Sequence, residues 1–119
     1  MSDEARVLDV WINCPNHEVA RTIGDALLAA RLVACANLFP PIESAYHWKG
    51  AIERDEEVPL LVKTRPALFD AVVERVTALH PYETPGVVGA PIQHVNEAYA
   101  RWVIEETGGP DGSGPSTEG

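Results

Sequence analysis

Cys35, His80 and Glu83 are the side chains in this sequence best suited to hold a metal ion. The Cys35 thiolate is a soft donor that suits copper, although its neighbours Leu32, Val33 and Ala34 equally suit a small buried hydrophobe. His80 stands at the end of a helical pattern beside Tyr82 and Glu83. There an imidazole can take a metal or a hydrogen bond, or simply close the helix as a C-cap. Glu83 adds an oxygen, and His47 and His94 are weaker candidates. No C-x-x-C or H-E-x-x-H spacing occurs, so a metal site has to be assembled from distant segments or from neighbouring subunits.

Other chemistry finds less support. Ser44 lacks a G-x-S-x-G setting, and no glycine-rich loop follows the first strand-like segment. Carboxylates cluster in the run Glu53, Asp55, Glu56 and Glu57, which reads as a solvated segment with nothing to fix it across a substrate. The expectation is a protein that is not an enzyme and carries no organic cofactor.

The 18 acidic residues against 9 Lys plus Arg give a formal net charge of -9, which repels nucleic-acid phosphates and anionic membranes. Two cysteines in 119 residues form no disulfide framework, and neither a signal-peptide pattern nor a bilayer-spanning apolar stretch is visible. A cytoplasmic protein is expected. The length and the 45% apolar content suit one domain with one core, over residues 1–107. The Gly-, Pro- and Ser-rich residues 108–119 read as a disordered tail.

The elements that must position the candidates follow from periodicity. Val7 to Ile12 reads as a central strand, and Asn16 caps a helix to Arg31 with Val19, Ile23, Leu27 and Ala30 on one face. Leu32 to Asn37 returns to strand, broken at Pro40-Pro41, before Ser44, Tyr46 and Trp48 share one face of an extended segment. Gly50 suits a turn into a long strand from Ile52 to Thr64, where Pro59 demands an edge, a bulge or a break. Pro66 opens a helix with Leu68, Val72, Val76 and Leu79 on its apolar face, and Pro81 ends it. Val87 to Ile92 is a short strand, and Asn96 to Glu106 a last helix with Tyr99, Trp102 and Val103 inward.

The order β-α-β-β-α-β plus a helix predicts an α+β, ferredoxin-like split βαβ sandwich. The middle strands are long for so small a chain, so their hairpin must project. Tyr46 and Trp48 on it then need cover, and a closed oligomer is the expected cover.

With these segments in order, the chain resembles the CutA family of divalent-cation tolerance proteins. The resemblance rests on Leu32 to Asn37, Ser44-x-Tyr46-x-Trp48-x-Gly50, Glu57 with Val62-Lys63-Thr64, His80-Pro81-Tyr82-Glu83-x-Pro85, and Pro91-Ile92 with Tyr99-x-x-Trp102. It implies a homotrimer of ferredoxin-like domains, with hairpins packed across subunits and no established enzymatic activity. It also implies Cu(II) or another divalent ion at Cys35 and His80, with Glu83 nearby. Glu57 would lie in an intersubunit cleft beside Lys63 and Tyr82, as a subunit lock or an anion site. Tyr46, Trp48 and Trp102 would be interface residues. The trimer is also similar to PII-type signalling proteins, which implies an alternative: a scaffold or signalling module with ligand-binding clefts. The sequence departs from the family pattern at Ile12, where some relatives carry Cys, at Gly86, where Glu is common, and at Pro59.

Overall fold

The computed structural model describes residues 5–108 of the chain. The expected disordered tail therefore falls, except for Gly108, outside the described residues. Strand β1 is Val7–Cys14 and helix α1 is His17–Ala29. Strands β2 (Cys35–Leu38), β3 (Ile42–Trp48) and β4 (Ala51–Thr64) follow, then α2 (Phe69–Leu79), β5 (Val87–Ile92) and α3 (Glu97–Glu106). The sheet order is β2-β4-β1-β5, all antiparallel, with β3 continuing along β4. This is the ferredoxin-like arrangement.

Period-two alternation assigns the sheet faces. Leu8, Val10, Ile12 and Cys14 of β1 are buried with Val58, Leu60 and Val62 of β4 against α1 and α2. On the opposite face α3 packs Ala100 and Val103 on Val7 at one end.

The Asn16 side chain caps α1 by accepting from the Val19 N–H at 2.9 Å. At its other end Arg31 takes φ 58°, and Arg31 and Leu32 return N–H bonds to Leu28 and Leu27 in a Schellman motif. That motif uses Leu32, so the strand expected from Leu32 begins its pairing only at Cys35. The Arg31 guanidinium donates to the backbone oxygen of Glu106, the last residue of α3, at 3.0 Å. Buried Arg65 bonds Thr107 at its hydroxyl and carbonyl and so ties α3 down.

Pro59 sits inside β4, and the break lies in its partner. Its carbonyl accepts from Phe39 N at 3.0 Å, in the gap between β2 and β3. The N–H and C=O of one strand residue point to the same side, so the missing donor faces Phe39 at the break in the partner, and the β1–β4 pairing on the other side of β4 continues through Pro59. Two sequence expectations need correction. Leu79 and Trp102, read as inward, are 40% and 39% exposed. The buried stripe of α2 is filled by Val72 and Val76 and that of α3 by Ala100 and Val103, which leaves both rims to solvent.

The hairpin does project. Beyond Val58 strand β4 has no pairing to β1, and from Glu57 outward it pairs with β3 alone. Its tip is a two-residue turn with Lys49 and Gly50 both at positive φ, the geometry whose twist matches a hairpin.

Candidate functional site

Four residues from three stretches of the chain close a hydrogen-bonded ring at the base of this hairpin. Asn13 is the penultimate residue of β1, Glu57 lies in β4, His80 caps α2 and Tyr82 follows two residues later. The Glu57 carboxylate accepts from the Tyr82 hydroxyl at 2.7 Å and from Asn13 Nδ2 at 3.4 Å. The Tyr82 N–H can only donate, so His80 Nδ1, 3.2 Å away, is the acceptor. Nε2 then carries the hydrogen and donates to the Asn13 carbonyl at 2.8 Å. The His80 and Tyr82 rings pack at 4.5 Å between centroids.

Glu57 and His80 are only 6% and 7% exposed. The solvated run expected from the sequence holds for Glu53, Asp55 and Glu56, which are exposed, but not for Glu57, which is buried beside Tyr82. Its charge is met by neutral donors, because none of the ion pairs among the described residues includes it. Burial, then the bond to Glu57, pushes the Tyr82 phenol well above its ordinary pKa. Burial and then Glu57 likewise raise the Cys14 thiol to about 11. On the hairpin, Tyr46 donates to Asp55, and chiefly that bond raises its phenol to about 12.

Above the ring opens a cleft of about 800 Å³, walled by Trp11, Tyr46, Trp48 and Tyr82, with Glu57 and Glu83 among its lining. The structure therefore brings together Tyr46, Trp48, Glu57, Tyr82 and Glu83. Asn13 and Trp11 belong with them and were not singled out in the sequence. Trp11 carried a usable signal, since alternation from Val10 and Ile12 turns it to the opposite face. Asn13 carried none beyond following the expected strand.

The remaining candidates lie elsewhere. Lys63 is bound to Asp9 at 2.6 Å and not to Glu57, which is six residues along β4 and so about 20 Å away. Cys35 faces Lys63 across β2 and β4, with its sulfur 3.7 Å from the Tyr99 hydroxyl. Burial, then this contact, raises the Tyr99 phenol to about 12. Trp102 packs its ring on Tyr99 at 5.5 Å. Cys14, paired with Val58 on the helix side of the sheet, and Cys35 on the other side cannot share an ion.

Cys35, His80 and Glu83 do not fit a metal within one chain. The Cys35 end of the sheet meets β1 at Asp9, and His80 meets it at Asn13, about 13 Å further on. His80 has both nitrogens committed. Among the described residues no three His, Cys, Asp or Glu side chains converge as a ligand group.

Comparison with known proteins gives one answer. The family described as CutA1 divalent ion tolerance protein matches residues 8–106. The divalent-cation tolerance protein CutA of Thermus thermophilus is 48% identical over 99 residues, which cover 83% of this chain and 96% of that protein. Its solved structure has 46% identity and a TM-score of 0.83, covering 86% of this chain and 99% of that one. Mouse protein CutA is 42% identical over 104 residues, 87% of this chain, which spans only 59% of the mouse protein. The structure titled periplasmic divalent cation tolerance protein CutA from Archaeoglobus fulgidus has 36% identity and a TM-score of 0.82, covering 84% and 97%. The chain belongs to the CutA1 divalent ion tolerance family.

Proposed function

We propose that this protein serves divalent-cation tolerance as a non-enzymatic, cytoplasmic homotrimer, and that any copper or other divalent ion it takes is shared between subunits. The observation that carries the reading is the projecting hairpin. Ile42, Tyr46, Trp48 and Ile52 are 41%, 37%, 39% and 66% exposed on a two-stranded ribbon. A ribbon of that kind is marginal in water without cover, and a closed assembly supplies cover and protects its edges. Sharing of the ion follows from the separation of Cys35 from His80 and Glu83 within one chain. The cytoplasmic assignment is supported by Cys14 and Cys35, both free thiols, which suits a reducing compartment. No helix among the described residues is long and apolar enough to cross a membrane.

Sedimentation equilibrium, together with native mass spectrometry in a glycine buffer with Cu(II), tests this. Three chains carrying a fixed integral copper load, lowered by Cys35→Ser with the mass unchanged, is the expected result. The mass of one chain at micromolar concentration overturns the assembly. A copper load indifferent to Cys35→Ser overturns the proposed ligand. A second reading, a scaffold or signalling module whose clefts bind a small molecule, is favoured by the open aromatic cleft.

A further inference from the structure

We infer that the cleft beneath the β3–β4 hairpin is a binding site for a small organic cation of the alkylammonium type. The inference rests on the second reading above and supplies the ligand class which that reading lacks.

The cleft contains negative charge without a counter-ion. Glu57 is nine-tenths buried, oriented by Tyr82 and Asn13, and in no ion pair among the described residues. Glu83 lines the same space, and Asp55 holds the Tyr46 hydroxyl. Among the described residues lining the cleft there is no Lys or Arg, and His47 is the one imidazole. Lys63, the nearest cation along β4 on that side of the sheet, is engaged by Asp9. A buried carboxylate met only by neutral donors is costly, and an entering cation offsets that cost.

The walls decide which cation. A bare divalent ion needs about six oxygen ligands to replace its water, and this cleft offers two carboxylates among aromatic rings. A quaternary ammonium has no N–H to solvate, is weakly hydrated and brings apolar surface of its own, which Trp11, Tyr46, Trp48 and Val88 can cover. The faces of such rings attract cations. Trp48 already does so within the chain, with the Lys49 ammonium 5.5 Å from its centroid. The volume, about 800 Å³, is that of a small-molecule site and leaves room for an aryl or alkyl substituent on the nitrogen. A neighbouring copy laid over the hairpin would close the open side of the cleft and deepen it.

The test is calorimetric titration of the assembled protein with benzyltrimethylammonium, with benzyl alcohol as the uncharged control. Saturable binding of the cation, little binding of the alcohol, and weakening of about fivefold or more in Glu57→Gln are expected. Should Glu57→Gln fail to fold, the exposed Glu83→Gln decides by the same loss. Equal binding of the alcohol, affinity unchanged in the Gln variants, or no saturable binding overturns the inference. Sedimentation of the same samples separates the two claims. A monomer that binds the cation keeps the inference and removes the trimer, whereas a trimer that does not bind leaves only the assembly.

Discussion

The Tyr82 hydroxyl donates to the Glu57 carboxylate across 2.7 Å, joining the segment after α2 to the middle of β4, 25 residues earlier. This bond fixes one corner of the cleft and supplies a buried carboxylate with its shortest hydrogen bond. The other bond to Glu57, from Asn13, is 3.4 Å long. The burden on Tyr82 is correspondingly large.

Tyr82→Phe should therefore destabilise the fold by about 1–3 kcal/mol, since it leaves a buried charge under-satisfied. In a Glu57→Gln background the same change should cost less. A double-mutant cycle by urea denaturation measures the coupling. Coupling near zero would show that the bond carries no stability.

The buried Cys14 thiol predicts alkaline sensitivity. Its pKa is raised from 9.0 to about 11 in the folded chain. The unfolded chain releases the proton first, so the contribution is complete below pH 9 and is lost as pH rises through about 11. Two pH units correspond to roughly 2–3 kcal/mol. Tyr46, Tyr82 and Tyr99 are raised too, but from 10.0, so they act in a higher window. Urea midpoints between pH 8.5 and 10 should fall more steeply for the wild type than for Cys14→Ala. Parallel slopes would refute the assignment.

Gly89 stands where α2 crosses β5. A Cβ there would meet Phe69 Cε1 at 3.0 Å and Leu8 Cδ2 at 3.1 Å. Gly89→Ala should cost about 1–3 kcal/mol by overpacking. Phe69→Leu should recover part of that loss in thermal denaturation, whereas additive losses would place the strain elsewhere.

Arg31 has two opposing effects. Its positive φ is unfavourable for a residue with a Cβ, while its guanidinium bonds the end of α3. Arg31→Ala keeps the strain and loses the bonds, so it should destabilise by about 1 kcal/mol. Arg31→Gly relieves the strain and should sit within a few tenths of wild type. Equal denaturation midpoints for the two variants would show that backbone strain at this position is negligible.

Much of this molecule follows from local rules. The period of the apolar residues distinguishes helices from strands, Asn16 marks a helix start, and Gly50 marks the hairpin turn. The βαββαβ order leaves few ways to form one sheet with a helical layer. These are short-range effects of backbone sterics and burial, so the sequence alone carried them. It also carried the projection of the hairpin, because strands that long cannot be contained in a core this small.

Tertiary structure decided the site. Glu57 looks like the last member of an acidic run, yet register places it just past the last β1–β4 pair, within reach of Asn13 and Tyr82, while its three acidic neighbours stay in water. Cys35 and His80 look like partners, yet one faces Lys63 and Tyr99 and the other spends both ring nitrogens on Asn13 and Tyr82. Lys63 finds Asp9 because the β1–β4 register sets those two opposite each other. Spacing along a chain determines which residues share a face of one element. Only pairing between elements, set by the whole packed core, determines which side chains meet across it.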